Sequence, residues 1–157
     1  MKKLSLLLAV IMIFGVFTVC AAAMDTSNFE CVDDVIYIKD FKYTITAGEI
    51  IAKSGDKTLV VEDEEGKLIA ADKIVPNGAY LVKLIDGAVE DKVQICIMQD
   101  VNCDGKVTAA DARLALRCGA QLETLSEIQL LAGDVTGDGR VTAADARLSL
   151  RKPAGLR

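Results

Sequence analysis

The chain has 157 residues, 18 Lys and Arg against 23 Asp and Glu, a formal net charge of −5 and no histidine. The acidic balance excludes the basic surface that nucleic-acid binding requires. The missing histidine removes Ser-His-Asp and Cys-His catalysis together with every histidine metal ligand.

Lys2 and Lys3 precede an apolar run from Leu4 to Val19, and Ala21-Ala22-Ala23 follows as a small-residue cleavage site. This is the pattern of a secretory signal peptide over residues 1–23. A membrane anchor is the alternative, but the run falls short of the roughly 20 residues that cross hydrocarbon as a helix. Lipid attachment at Cys20 is disfavoured by Phe17-Thr18-Val19, which puts a bulky residue where a small one is wanted. Removal of the leader takes two lysines with it, so the formal charge of −5 becomes −7. The mature product is expected to be secreted, extracellular or held at the cell surface through a partner, with no membrane segment of its own. Cys31, Cys96, Cys103 and Cys118 then remain. In an oxidising compartment an even number reads as disulfides, with three pairings open. Cys31 with Cys96 is the expected bridge because the two bracket the first domain; Cys103 with Cys118 would join a loop to the helix leaving it, a less favourable geometry.

The first domain is placed at residues 29–98. Its β-rich runs are "VIYI" at 35–38, "TLVVED" at 58–63, "AYLVKLID" at 79–86 and "KVQICIM" at 92–98, separated by turns such as Pro76-Asn77-Gly78. Between the first two, "TAGEIIAKSG" predicts a short helix, with Thr46 and Glu49 at capping-box spacing and Gly55 as its stop. The result is a small β-rich α/β domain of a size at which one core is thermodynamically thin. Asp33, Asp34, Glu62, Asp63, Glu64, Glu65, Asp86, Glu90 and Asp91 leave paired-acid catalysis as the enzymatic alternative. Most lie in turn-like stretches, where acids are solvated, so the expectation is a non-catalytic domain. No Cys-x-x-Cys pair points to zinc.

From Asp100 the chain repeats itself. "DVNCDGKVTAADARLALR" at 100–117 returns as "DVTGDGRVTAADARLSLR" at 134–151, and fourteen of nineteen positions from Asp100 and from Asp134 are identical. Asp100, Asn102, Asp104 and Asp111 stand at loop positions 1, 3, 5 and 12, with Gly105 at position 6; Asp134, Thr136, Asp138, Asp145 and Gly139 repeat the set. This is EF-hand spacing. Calcium takes six to eight oxygen ligands, and a tight turn that converges carboxylates and one main-chain carbonyl suits it better than it suits magnesium. Lys106 and Arg140 supply that carbonyl at position 7, where side-chain identity is free. Asp111 and Asp145 replace the usual glutamate and are one methylene shorter; Thr136 is a weaker donor than Asn102. Two calcium ions are expected.

Each loop leads into a helix, "TAADARLALR" and "TAADARLSLR", with Ala110, Leu114 and Cys118 expected to face the core and Arg113 with Arg117, repeated as Arg147 with Arg151, forming a second stripe. "LETLSEIQLLAG" predicts a further helix with Leu122, Leu125, Ile128 and Leu131 inward. An all-α module over residues 99–152 results.

The two repeats and the segment joining them resemble dockerin domains, in which two calcium-binding loop-helix segments related by pseudo-symmetry form a three-helix module. The resemblance implies metal ligation by Asp100, Asn102, Asp104, Lys106, Asp111, Asp134, Thr136, Asp138, Arg140 and Asp145. It implies a cohesin-like domain of a scaffold or cell-surface protein as partner, within a cellulosome-like assembly of polysaccharide-degrading enzymes. Recognition positions fall at Ala109, Ala110, Leu116 and Arg117, and at Ala143, Ala144, Leu150 and Arg151, with Arg113 and Arg147 beside them. Their near-symmetry is similar to members that dock in two orientations. Upstream, "GKLIAADKIVPNGAYLVKLIDG" resembles small β-rich modules that precede dockerins in secreted proteins of anaerobic Gram-positive bacteria. The competing readings are a calcium-stabilised structural module without a cohesin partner, and an inhibitor or enzyme carried by the first domain.

Overall fold

The structure, a computed structural model, describes residues 24–151 apart from 25, 40 and 42. The expected signal peptide with Cys20, and Lys152 at the end of the expected module, lie outside the described residues.

Six strands form one sheet: β1 (Glu30–Val32), β2 (Val35–Ile38), β3 (Leu59–Glu62), β4 (Leu68–Ile69), β5 (Tyr80–Ile85) and β6 (Ala88–Ile97). Their order is β1-β2-β6-β5-β3-β4, with β2 parallel to β6 and every other pair antiparallel. The alternation of "VIYI" decides which way β2 faces: Ile36 and Ile38 enter the main core, whereas Val35 and Tyr37 point to the other side. Helix α1 (Ala47–Ser54) closes the main core, burying Ala47 and Ile50. A buried isoleucine contributes about 1.5–3 kcal/mol relative to exposure. The capping box forms as expected: Thr46 N–H donates to Glu49 Oε2 at 2.8 Å, Glu49 N–H donates to Thr46 Oγ1 at 3.3 Å, and Gly55 ends the helix at φ 82°.

Strand β6 is longer than the run 92–98 suggests because a two-residue turn, Asp86-Gly87 with φ 52° and 79°, closes a hairpin that pairs Ile85 with Ala88. A register shift at Lys83/Leu84 accommodates the polar stretch "AVED". Strands β1 and β4 have no sequence signal of their own; they are short edge strands defined by their neighbours.

Beyond β6 come α2 (Ala109–Gly119), α3 (Glu127–Gly133) and α4 (Ala143–Arg151). Helix α3 is shorter than expected: it begins after Ser126, whose N–H donates to Gln129 Oε1 at 2.9 Å, and Leu122 ahead of it is 68% exposed. Leu125 and Ile128 are buried and Leu131 is half-buried. The inward face of α2 also differs from the expectation. Ala110 is exposed; Asp111, Ala112 and Ala115 are buried, and Leu114 and Cys118 are half-buried. Asp111 caps the helix from inside the loop, which turns the buried face one residue onward.

The sheet and α3 share a small core, whereas α2 and α4 pack in a separate one with Val101, Leu125 and Val141. Cys96, Ile128 and Ala132 are buried together, with Val35, Tyr37, Met98, Cys103 and Leu131 packed against them, so α3 covers the sheet face opposite α1. This explains why β6 is buried on both faces near its end.

The Cys31–Cys96 bridge does not form, and all four described cysteines are free thiols. Cys31 pairs with Ile36 and Cys96 with Tyr37, so strand β2 lies between them and their side chains leave opposite faces of the sheet. Two strand spacings, about 9.6 Å, exceed the roughly 7 Å a disulfide spans between Cα atoms. Cys103 and Cys118 belong to different apolar clusters. Burial, with Cys103 and Asp100 nearby, pushes the Cys96 thiol up to about 12; burial and Asp100 push Cys103 to about 11. Alkylation of the native chain is therefore expected to modify exposed Cys31 first and Cys96 only after denaturation. Peptide mapping with and without denaturant checks this order, and rapid native labelling of Cys96 would contradict the burial described.

Candidate metal loops and docking groove

The two acidic loops carry the same internal wiring. In the first, Asp100 Oδ1 accepts from Asp104 N–H at 3.1 Å and Oδ2 from Gly105 N–H at 2.9 Å; Asp104 Oδ1 accepts from Lys106 N–H at 2.8 Å. In the second, Asp134 accepts from Asp138 N–H at 3.1 Å and Gly139 N–H at 2.7 Å, and Asp138 Oδ1 from Arg140 N–H at 3.0 Å. Gly105 and Gly139 turn at φ 78° and 82°, a conformation that favours glycine. The last acid reaches across each loop and caps the helix after it. Asp111 Oδ1 accepts from Asn102 N–H at 3.1 Å and Oδ2 from Thr108 N–H at 2.8 Å; Asp145 does the same with Thr136 N–H at 2.9 Å and Thr142 N–H at 2.8 Å. The shorter side chain at position 12 thus serves as both loop closure and N-terminal cap.

The surroundings differ. Asp100 is buried, and Asn77 from the β4–β5 connection adds a third N–H to its Oδ2 at 3.1 Å. Residues 136–140 of the second loop are exposed. Burial raises the Asp100 carboxyl to about 6, against the hydrogen bonds from Gly105 and Asn77 and with the Asp111 and Asp104 charges adding to the rise. At Asp145 burial also acts upward, but the hydrogen bonds from Thr136 and Thr142 prevail and hold it below the ordinary range.

Among the described residues, no group of three or more His, Cys, Asp or Glu side chains stands where it could hold a metal ion. The loop carboxylates lie on backbone N–H donors. Each retains further lone-pair sites, and Asn102, Thr136 and main-chain oxygens complete a donor set made entirely of hard oxygen. Each loop carries three acids, and in the first Asp100 and Asp111 are buried while Asp104 is exposed, a concentration of negative charge that a bound cation relieves. The residues present therefore fit calcium in chemistry. Lys106 and Arg140 are exposed, leaving the position-7 backbone to the loop.

Helices α2 and α4 pack through small residues, with Ala112, Ala115, Ala146 and Ser149 buried. Between them runs an apolar groove lined by Ala109, Ala112, Arg113 and Leu116 and by their repeats Ala143, Ala146, Arg147 and Leu150. Leu116 is 50% exposed and Leu150 46%. Ala112 and Ala146 escaped the sequence reading because helix phase was set from the wrong alanine. Four expected positions lie outside it: Arg117 pairs with Glu123 at 3.1 Å, and Ala110 lines an adjoining depression with Asn102, Arg113, Leu114 and Arg117. Ala144 and Arg151 are exposed and outside the groove lining.

Residues 98–150 match the family model of the dockerin type I domain, 53 residues of the 157 in the chain. No curated protein and no solved structure matches the chain. The segment that resembles a dockerin in sequence thus also matches the dockerin family model. A dockerin domain binds calcium in general and implies docking to a cohesin domain in cellulosome-like assemblies.

Removal of calcium is expected to lower the helical circular-dichroism signal, since crowded loop charges then repel and binding energy is also folding energy. Calorimetry is expected to find one calcium site fewer in Asp104→Ala than in the parent. Retention of the full stoichiometry would refute the assignment of Asp104.

Proposed function

We propose that the protein is an exported, non-catalytic component whose dockerin module, folded around two calcium ions, docks a cohesin-type domain through the groove between α2 and α4. The ligands are Asp100, Asn102, Asp104, the Lys106 carbonyl and Asp111, and in the second loop Asp134, Thr136, Asp138, the Arg140 carbonyl and Asp145. The observation that carries the reading is the duplicated, exposed Leu-Arg groove. Architecture alone does not require Leu116 and Leu150 to stand in water beside Arg113 and Arg147, whereas a protein interface gains buried apolar area from the leucines and pairing from the arginines.

A rotation that exchanges α2 and α4 presents the same residue types again, which supports docking in two orientations. Export is supported by the basic start, apolar run and small-residue site of residues 1–23. Two features support a non-catalytic role: the chain lacks histidine, and some acids of the sheet region serve turns, as where Asp63 Oδ1 accepts from Glu65 and Lys67 N–H at 3.0 and 2.8 Å, while Glu62 and Glu90 lie in strands and pair with Lys92 and Lys83. One observation favours a structural role for part of the module: Asp100, Gly105 and Val107 of the first loop are buried, with Asp100 and Val107 hydrogen-bonded to Asn77 and Tyr43 of the sheet region.

With a panel of cohesin domains as probes, Leu116→Ala or Leu150→Ala alone is expected to weaken binding little, because the opposite orientation remains. The double variant is expected to lose about 2–4 kcal/mol, the range of paired interface anchors. Surface plasmon resonance with calcium present measures both, and undiminished affinity in the double variant would remove the groove as the docking face.

A further inference from the structure

Asn77 is buried, and each of its side-chain polar atoms is engaged at the junction between the sheet and the first loop. Its backbone N–H donates to Asp100 Oδ2 at 3.1 Å, its side-chain amide donates to Asp100 O at 3.1 Å and to Ile128 O at 3.4 Å, and its Oδ1 accepts from Ile97 N–H at 2.8 Å. One residue thus ties β6, the first acidic loop and α3 together. The turn is fixed on its far side as well, where Gly78 N–H donates to Ile95 O at 3.0 Å.

The loop fits against the sheet region without clearance. A Cβ at Gly105 would stand 2.5 Å from Ile74 Cγ2 and 2.9 Å from Val75 O, and Val107 N–H donates to Tyr43 O at 2.9 Å. At the corresponding Gly139 of the second loop, a Cβ would meet nothing within 4 Å.

We propose that Asn77 is a positioning residue of the first calcium loop and not of the second, so that the sheet region is a working part of the first site through this residue. The inference rests on the reading of both loops as calcium sites. The Asn77 backbone N–H fixes one oxygen of the first ligand, and its side chain holds the turn that aims this N–H by bonding Asp100 O, Ile128 O and Ile97 N–H. A ligand already oriented by an outer partner loses less freedom when the ion arrives. Linkage makes the effect reciprocal: calcium at the first loop stabilises the turn and the end of β6 to the extent that they strengthen calcium binding.

The test uses the full chain and calcium alone as the probe, with each site read in a background that disables the other. In Asp138→Ala, where the first loop remains, adding Asn77→Ala is expected to weaken calcium binding by about 10–100-fold, the usual effect of removing an outer-shell partner. In Asp104→Ala, where the second loop remains, adding Asn77→Ala is expected to leave affinity unchanged. Unchanged affinity at the first loop overturns the proposal, as does equal weakening of both loops, which would mark general loss of structure. Amide exchange gives a readout that requires no change at Asn77: calcium is expected to slow exchange at Asn77 and Ile97 in the parent and in Asp138→Ala, but not in Asp104→Ala. Equal protection in Asp104→Ala, or none in the parent while calcium binds, overturns the coupling. A parent that binds no calcium at all overturns the calcium reading itself, and this inference with it.

Discussion

A carboxylate held out of water beside two others is the constraint on which the junction depends. Asp100 has no exposed surface, and Asp104 and Asp111 face the same loop. A buried charge persists when donors and an opposite charge replace its hydration. Three backbone N–H groups supply the donors, from Asp104, Gly105 and Asn77. The last of these belongs to the turn before β5, so satisfying one loop residue fixes the distance between that turn and the end of β6. Leaving a buried donor or acceptor unpaired costs about 1–3 kcal/mol. The Asn77 side chain spares three such groups, more than a loose contact between two modules would supply.

Duplicated sequence produced duplicated local structure and unlike surroundings. Both loops use the same acid-to-N–H pattern because the pattern is short-range and the residues that make it are identical. What differs is what lies outside. Loop position 4 shows the asymmetry on a small scale: Cys103 adopts φ 59° where the second loop has Gly137 at φ 74°. A side chain is tolerated in that strained conformation because Cys103 packs beside Cys96 in the cluster under α3, whereas a Cβ at Gly137 would meet nothing within 4 Å.

This contrast separates what was legible in the sequence from what was not. The α1 capping box, the four main strand runs, the loop spacing and the helix starts are encoded within a few residues of one another, and each could be read from turn chemistry and periodicity. The partners of Asn77 lie 20, 23 and 51 residues away. In sequence, Pro76-Asn77-Gly78 is a turn and nothing marks it as a clamp. The cysteine pairing failed for a related reason: Cys31 and Cys96 bracket the sheet region in sequence, but a parallel strand between them sends their side chains to opposite faces. Helix phase in α2 was misjudged because an acid at a capping position looks solvent-facing until the loop closes over it. The groove suffered from the same error, which hid Ala112 and Ala146.

The absence of a linker between sheet and dockerin segment then acquires meaning. Strand β6 ends at Ile97 and the first loop begins at Asp100, with Gln99 N–H donating to Ala132 O at 2.8 Å in between. Flexible tethers let a docked module sample a volume set by their length; here the connection is itself hydrogen-bonded into α3. Helix α3 carries Ile128 and Ala132 against the sheet, while Gly133 at its end admits Val141 of the second loop, where a Cβ would stand 3.0 Å from Val141 Cγ2. The sheet, α3 and the second loop are thus in continuous contact, and no free linker separates the sheet from the segment that carries the α2–α4 groove. If a partner docks there as proposed, it meets the sheet region in one orientation for each way it docks. Reversing the docked orientation would therefore reposition the whole sheet, which a tethered module would conceal.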